Sequence, residues 1–542
     1  MYIRMKKRYL MMVALLCALP IAKAQDTFIN DRITATDDLN GTARYVGMGG
    51  ALGALGADLS VISSNPAGIG LYRKCDVALT FGVVAPQKSN GWNTSDTRTY
   101  GEKLARASFD QMGLVWSLKT DGKLNFVNFA FNYQKKANYN QGFYADNMNL
   151  GGLSQLDQIA EMVTYKFVSA YNLAGLVKTP DLNDATLNNY YLNPVVDSNG
   201  NVIYKNEYSS VENAFNRHQS GYMGAFDFNV AFNVSDRFYT GATLGFDHAH
   251  YNAWSEYGEW ASDGGLNHSL YNETEIRGYG VNAKLGFIVR PIEENPFRIG
   301  LTVETPTWYR LENETFYHLD KGQNVTNYIE YTVRTPWKAR VSLGATVDKV
   351  LAWGVEYEYA NMAKTSMGYP KWADDGYHRP FASDKDLFMN EHTRNTLRGQ
   401  HTIKAGVEVK PIDELAVRFG YNFISKRYKD NVSFDQYKLA DGNGSGNFYS
   451  DAMDYATSTD YMSLGAANIA TFGLGFNHKR FYADLTYKYR AQKADFYAFD
   501  TNFTTSGSQF ANDNPALADM TIQPVSVPLN RHQILLSLGF KF

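Results

Sequence analysis

From about Cys75 onward, apolar and polar side chains take turns along the chain. Between Asn125 and Tyr133, Val127, Phe129, Phe131 and Tyr133 fall on one side, with Phe126, Asn128, Ala130 and Asn132 on the other. Between Leu351 and Tyr359, Leu351, Trp353, Val355, Tyr357 and Tyr359 alternate with Ala352, Gly354, Glu356 and Glu358. The same period of two runs through 415–423 and 481–490. A helix would scatter such sets around its circumference, whereas a strand puts each set on one face.

Fourteen segments read as strands: 75–86, 108–120, 123–135, 217–233, 237–256, 271–291, 296–314, 327–347, 350–363, 399–411, 414–429, 464–478, 480–493 and 530–542. Short turns, such as Thr120-Asp121-Gly122 and His478-Lys479, alternate with long polar loops near 87–107, 136–216, 257–270, 315–326, 364–398, 430–463 and 494–529. An even number of strands with short turns at one end and long loops at the other predicts an all-β, 14-stranded antiparallel transmembrane β-barrel.

The less apolar faces carry Lys284, Arg290, Arg298, Glu304, Lys338, Arg340, Glu356, Glu358, Lys404, Glu408, Arg418, Asp484, Lys488 and Arg490. Charges are costly on a lipid-facing surface, so these side chains are expected to point into a lumen, and their mixed signs predict pairing there. The last segment sets Ile534, Leu536, Leu538, Phe540 and Phe542 on one face and closes on an aromatic residue.

Ahead of the strands lies a different stretch, GTARYVGMGGALGALGADLSVISSNPAGIG, from Gly41 to Gly70. Small residues at this density let backbone approach backbone, so the segment suits packing inside another structure. Asn65 can close a turn through its side chain, Pro66 fixes its own φ and Gly68 permits a positive one. Residues 25–40 are polar and weakly periodic, and a mobile arm is expected there. Met1 to Ala24 reads as a secretory signal peptide: Arg4, Lys6, Lys7 and Arg8, an apolar run from Leu10 to Leu19, then Ala22-Lys23-Ala24.

Composition narrows the function. The 542 residues carry a net charge of −3, which gives no basic field for nucleic acid. Tyr (38) and Phe (32) are abundant, as strands favour, and no apolar run approaches the ~20 residues of a transmembrane helix. Cys17 lies in the signal and Cys75 stands alone after it, so neither a disulfide nor a cysteine metal cluster is expected. The run from Gly47 to Leu52 misses the dinucleotide fingerprint, and no hydrolase, zinc-protease or nucleotide-loop motif occurs, so no catalytic residue, metal or cofactor is expected. His248 and His250 share a strand face near the external rim. Without a third ligand they read as rim histidines rather than a metal or haem site.

A signal peptide, a small-residue segment ending in Asn65-Pro66-Ala67, and fourteen alternating strands together resemble the FadL/TodX family (OMPP1 family) of outer-membrane transporters for hydrophobic compounds. Members close to this sequence also carry the label haemin receptor. The resemblance implies an N-terminal hatch over residues 25–74, folded into a barrel of residues 75–542. Its marking residues would be Gly47, Gly49, Gly50, Asn65, Pro66, Ala67 and Gly68. It also implies passive uptake of long-chain fatty acids or aromatic compounds across the outer membrane, and recognition of Phe542 by the outer-membrane assembly machinery. In the family, ligand leaves sideways through a kinked third strand; here Lys123 to Lys135 holds no Gly or Pro to mark one. The partners expected are the lipid bilayer and a hydrophobic small molecule, with the chain a monomer. A haemin-binding receptor and a structural or adhesive barrel are the alternatives.

Within the second long loop, Leu156, Ile159, Val163, Phe167, Ala170 and Ala174 recur at three and four, predicting a helix with Ser154 at its N-cap. Ile159, Val163 and Phe167 are the candidate ligand-capture residues, although the same stripe could simply pack the helix onto the rim.

Overall fold

In a computed structural model, residues 27–34, 38–87, 105–165, 191–197, 200–320, 324–348, 350–372, 378–430, 432–433 and 459–542 are described. The signal peptide and Phe167 lie outside them.

The alternating segments form one closed antiparallel barrel of fourteen wall positions. It opens with β1 (Asp76–Pro86), β2 (Arg106–Lys119) and β3 (Leu124–Asn138), the last continued by β4 (Gln141–Asn147). A separate hairpin, β5 (Leu192–Val196) with β6 (Val202–Asn206), occupies the second long loop. Three long strands follow: β7 (Glu212–Val234), β8 (Phe238–Trp260) and β9 (Leu266–Val289). The next two wall positions are each split, into β10 (Arg298–Glu304) with β11 (Trp308–Leu319), and β12 (Asn324–Arg334) with β13 (Lys338–Val347). β14 (Leu351–Asn361) passes through a 3-10 turn into β15 (Ser366–Trp372), which pairs with β16 (His378–Lys385). β17 (Gly399–Ile412), β18 (Leu415–Ile424), β19 (Tyr461–His478), β20 (Phe481–Tyr497), the short β21 (Val525–Pro528) and β22 (Arg531–Lys541) complete the ring. β22 pairs with β1 over eleven residues, from Asp76↔Lys541 to Pro86↔Arg531, and so closes it.

Which face looks outward follows the period-two pattern. Val77, Leu79, Phe81 and Val83 on β1, Leu301 and Val303 on β10, and Ile534, Leu536 and Leu538 on β22 are exposed, while Ala78, Thr80, Ser537 and Leu535 are buried. Eleven residues at ~3.3 Å each, tilted by ~40°, rise roughly 28 Å, close to the apolar band of an outer-membrane barrel. The chain is a transmembrane barrel of the outer-membrane type.

The sequence reading runs 296–314 and 327–347 as single strands, but each breaks, at Thr305-Pro306-Thr307 and Thr335-Pro336-Trp337. A proline cannot donate to the ladder, and threonines repair the damage. Thr305 Oγ1 accepts from Ala283 N at 3.0 Å and Thr335 Oγ1 from Thr307 N at 2.8 Å. Below the breaks the outer face is apolar (Leu301, Val303, Val341, Leu343); above them it carries Glu312 and Glu314. The two prolines therefore mark the external edge of the membrane belt.

The N-terminal stretch lies inside this wall. The arm expected to be mobile contains instead a buried helix, α1 (Thr27–Thr34), with Phe28, Asn30, Asp31 and Ile33 almost wholly enclosed. Its polar residues find partners that the linear pattern does not display: Asp31 Oδ2 accepts from Arg427 Nε at 2.7 Å and Tyr428 OH at 2.6 Å. Residues 38–72 follow, with the short helix α2 (Ala43–Gly47) and 3-10 turns at Leu59–Ser63 and Pro66–Leu71.

Candidate functional site

The small-residue segment meets the wall backbone to backbone. Gly354 on β14, Gly406 on β17 and Gly420 on β18 face Ala51 O, Met48 O and Gly49 N so closely that a Cβ at any of them would overlap. Gly49 and Gly50 have φ of 63° and 81°, the left-handed region open to glycine, whereas Gly47 is needed for its approach to Thr486. At the end of the segment, Asn65 Oδ1 accepts from Ala67 N at 3.2 Å, and its Nδ2 donates to Gly53 O at 2.8 Å and to Phe287 O on β9 at 3.3 Å. Pro66 opens the 3-10 turn, and Ala67 is fully buried. Gly68 does not use a positive φ; it is small because Val61 and Gly56 press against it. The expected corner thus rests on side-chain capping and close packing.

The charged inner face pairs as its mixed signs imply. Arg418, only 2% exposed, donates to Glu408 at 2.6 Å and Asp484 at 2.5 Å. Lys404 meets Glu356 at 2.7 Å, Lys284 meets Asp227 at 3.0 Å, and Arg340 meets Glu304 at 2.7 Å and Glu358 at 2.5 Å. Arg290 departs from the pattern, lying at a turn with its guanidinium on the carbonyls of Glu293 and Asn295. The lumenal segment contributes its own charges: Arg44 Nε reaches Glu408 at 3.3 Å. Asp38 collects three cations from β20 and β22, namely Lys488 at 3.2 Å, Arg490 at 3.5 Å, and Arg531.

Two cavities lie on either side of that cluster. One, of about 100 Å³, is polar and is bounded by Asp38, Tyr45, Gln134, Glu304, Lys404 and Arg490, among others. The other, of about 80 Å³, reaches toward the external ends of the strands. Tyr139, Phe143, Met462, Leu464 and Leu529 give it an apolar wall, and Arg32, Arg490 and Arg531 a cationic end. Leu464, Arg490 and Gln492 border both.

The wall has a seam beside these cavities. β2 and β3 are paired from Lys119↔Phe126 up to Gln111↔Gln134. Above that level β2 runs on to Arg106 against β1, while β3 bulges between Lys135 and Ala137 and continues against β7. Residues 38–40 fill the place of the missing ladder. Asp38 N donates to Lys136 O at 2.8 Å, and Asn40 Nδ2 donates to Asp110 Oδ1 at 2.8 Å and Lys135 O at 3.1 Å. The third strand therefore leaves its neighbour by a bulge, without the Gly or Pro that a sequence reading looks for.

Above the barrel, β4, the helix α3 (Gln155–Tyr165) and the chain near 494–499 and 527 build an external cap around Phe143, Leu156, Phe215 and Phe496. Ser154 Oγ accepts from Leu156 N at 3.1 Å, and Asp157 Oδ2 from Ser154 N at 2.9 Å, so both ends of the N-terminal box are made. Of the capture candidates, Ile159 is fully buried in this cap and Val163 packs against it. Neither borders the two lumenal cavities. His248 stacks against Tyr133 and Phe226, and His250 Nε2 lies 2.8 Å from Asn252 and 3.2 Å from Glu275. Among the described residues no group of three or more His, Cys, Asp or Glu is placed to hold a metal ion. Asp38, Asn40, Arg531 and the seam were not among the residues singled out from sequence; a lone acid in a polar arm carries no signal of its partners.

No protein-family model and no curated protein matches the chain. Among solved structures it is similar to a Pseudomonas aeruginosa FadL homologue, with 11% identity over 93% of this chain and 99% of that one, at a TM-score of 0.50. The Ralstonia pickettii toluene transporter TbuX (12% identity, 93% and 99%, TM-score 0.44) and the P. putida toluene transporter TodX (10%, 93% and 99%, 0.46) are more distant in shape. The chain shares the fold of the FadL homologue over nearly the full length of both.

Proposed function

We propose that the protein is a passive outer-membrane channel for hydrophobic small molecules, with residues 25–74 as a hatch in its lumen. The observation that carries this reading is the pairing of a lumen occupied by residues 38–72 with a small amphipathic cavity above them. A general pore for sugars or salts needs a continuous water path, and this arrangement opposes one. An apolar solute gains instead from leaving water for the Tyr139, Phe143, Met462 and Leu529 wall. The chemistry of a fatty acid matches both ends of the cavity, its chain the apolar wall and its carboxylate the arginines. Aromatic hydrocarbons fit the wall alone. The shared fold with the FadL homologue supports the same assignment.

Exit is sideways, through the seam between β2 and β3, once residues 38–40 move. The chain acts as a monomer, and Phe542 is its handle for the outer-membrane assembly machinery. The test is uptake into liposomes carrying the purified protein, comparing radiolabelled oleate and toluene with arabinose. Uptake of the apolar solutes without the sugar is expected. Rapid arabinose entry with no gain for oleate or toluene overturns the assignment.

A further inference from the structure

We infer that the outer wall of β8, β9 and β11 carries a docking groove for a glycolipid of the outer leaflet. Its uncharged saccharide lies against Trp254 and Phe316, and its phosphorylated headgroup meets the arginines below them. The inference concerns the lipid around the barrel and is independent of what crosses the lumen.

A third cavity, of about 460 Å³, exceeds both lumenal ones and falls within the ~300–1,000 Å³ of ligand sites. Register sets Asn252, Glu275 and Glu314 in one row across the ladders, and Trp254, Glu273 and Phe316 in the next row up. All six share the face of the exposed residues Leu244, Phe246, Tyr279, Leu285 and Trp308 of the same strands, so they look away from the lumen. Tyr271 stacks on Trp254 at 6.5 Å and meets Phe316 edge-on at 6.5 Å, which makes one aromatic platform. His218 of β7 borders the same groove, is 7% exposed, and its Nε2 has no hydrogen-bond partner. Aromatic faces flanked by carboxylates and an amide suit a pyranose: the rings cover its C–H face and the polar groups take its hydroxyls.

Height and charge say which molecule brings the sugar. Trp308 and Trp337 are exposed at the level of the two prolines, where an aromatic girdle marks the membrane edge. Glu314 and Phe316 lie six and eight residues above Trp308, or roughly 15–20 Å at ~3.3 Å per residue and a ~40° tilt. Acyl chains end below that level, whereas the saccharide of a glycolipid extends through it. Between the two, three arginines climb the same face. Arg334 sits 6.0 Å from the Trp308 ring and has no carboxylate partner among the described residues. Arg310 follows, 2.7 Å from Glu330, and then Arg277, which is paired with Glu275. Phosphates are drawn to this lower tier and repelled by the carboxylates above it. The groove therefore takes the part of the glycolipid beyond its charged groups.

The test is native mass spectrometry of the full mature chain released from a neutral detergent. The probes are lipopolysaccharide with a complete core and deep-rough lipopolysaccharide, which is truncated after its phosphorylated inner sugars. One complete-core molecule per chain is expected, bound about tenfold more tightly than the deep-rough form. Trp254→Ala and Phe316→Ala should each lower complete-core binding about fivefold and leave deep-rough binding within about twofold. Arg334→Gln should weaken both forms, and Tyr487→Ala, outward on β20 across the ring, should alter neither. Equal affinity for the two forms, or complete-core binding that survives Trp254→Ala, overturns the groove. Free core oligosaccharide bound as tightly as the intact glycolipid overturns the lipid-anchored occupant. Comparing the two lipopolysaccharides needs only the native chain, so it decides the matter even if a variant does not fold. Oleate uptake into liposomes without lipopolysaccharide is read separately and bears on the channel alone.

Discussion

Asn40 and Asp110 are seventy residues apart and joined by a 2.8 Å hydrogen bond from the amide of one to the carboxylate of the other, both almost fully buried. The bond ties the lumenal segment to β2 where that strand has no ladder to β3. Ser108 Oγ donates to the same Asp110 oxygen at 2.8 Å, and Gln533 Nε2 does so at 3.4 Å. Asn40→Ala removes two donors at once and leaves a buried carboxylate short of partners, which costs about 1–3 kcal/mol. Greater ion conductance in planar bilayers is expected, with the barrel still resisting unfolding in cold SDS. An unaltered conductance would show that residues 38–40 do not seal the wall.

Gly354 admits the segment because it has no side chain: a Cβ there would run into Ala51 O. Gly354→Val should unseat the segment near Ala51 while leaving the outward residues of β14 in place. The expected readout is protease cleavage within 41–70 in a chain that still migrates as a folded barrel, with a loss of roughly 1–3 kcal/mol from overpacking.

Arg418 holds Glu408 and Asp484 at once inside the wall. Arg418→Met leaves the buried Asp484 without its cation and Glu408 with Arg44, and a drop of about 3–5 kcal/mol is expected by urea unfolding in detergent. Adding Asp484→Asn to it should cost less than the sum of the two single changes, because the second change removes the stranded charge.

Asp157 titrates in the external cap. Burial, opposed by hydrogen bonds from Asn206 and Ser154, raises its carboxyl to about 7. In the unfolded chain the value is ~3.9, so between the two the folded cap binds more protons and loses stability as pH rises. Amides of α3 should exchange faster at pH 8 than at pH 5, after correction for intrinsic rates. Asp157→Asn should flatten that dependence. A native cap that is more protected at pH 8 would contradict the assignment.

Leu536 is exposed to the outside on β22, and its neighbour Ser537 is buried against Thr80 and Ala43. Leu536→Arg should cost about 2–4 kcal/mol in a bilayer, since it sets a charge in the apolar belt. The loss should be smaller in detergent micelles, which deform around a charge. Unfolding in both media, followed by tryptophan fluorescence, separates the two.

Strand identity and facing were legible in the chain because a strand's side chains alternate with a period of two, a property of the local backbone. That is why Val355, Tyr357 and Ile534 could be set outward, and Glu356, Lys404 and Arg418 inward, before any contact was known. The small-residue stretch was equally visible, since close packing leaves its mark in composition. The prolines that split two strands were in plain sight at 306 and 336, but their height relative to the membrane depends on where neighbouring strands end.

The partners of Asp38, the burial of α1 and the seam between β2 and β3 came only from the folded arrangement. Each joins positions tens to hundreds of residues apart, and no local periodicity encodes which strand stops pairing with which. The chain by itself determined a barrel with a greasy exterior and a charged interior, because those follow from the solvent on each side. How residues 38–72 sit in that barrel, and which cations meet Asp38, were decided by the tertiary fold, because both depend on the closing of the ring around that segment.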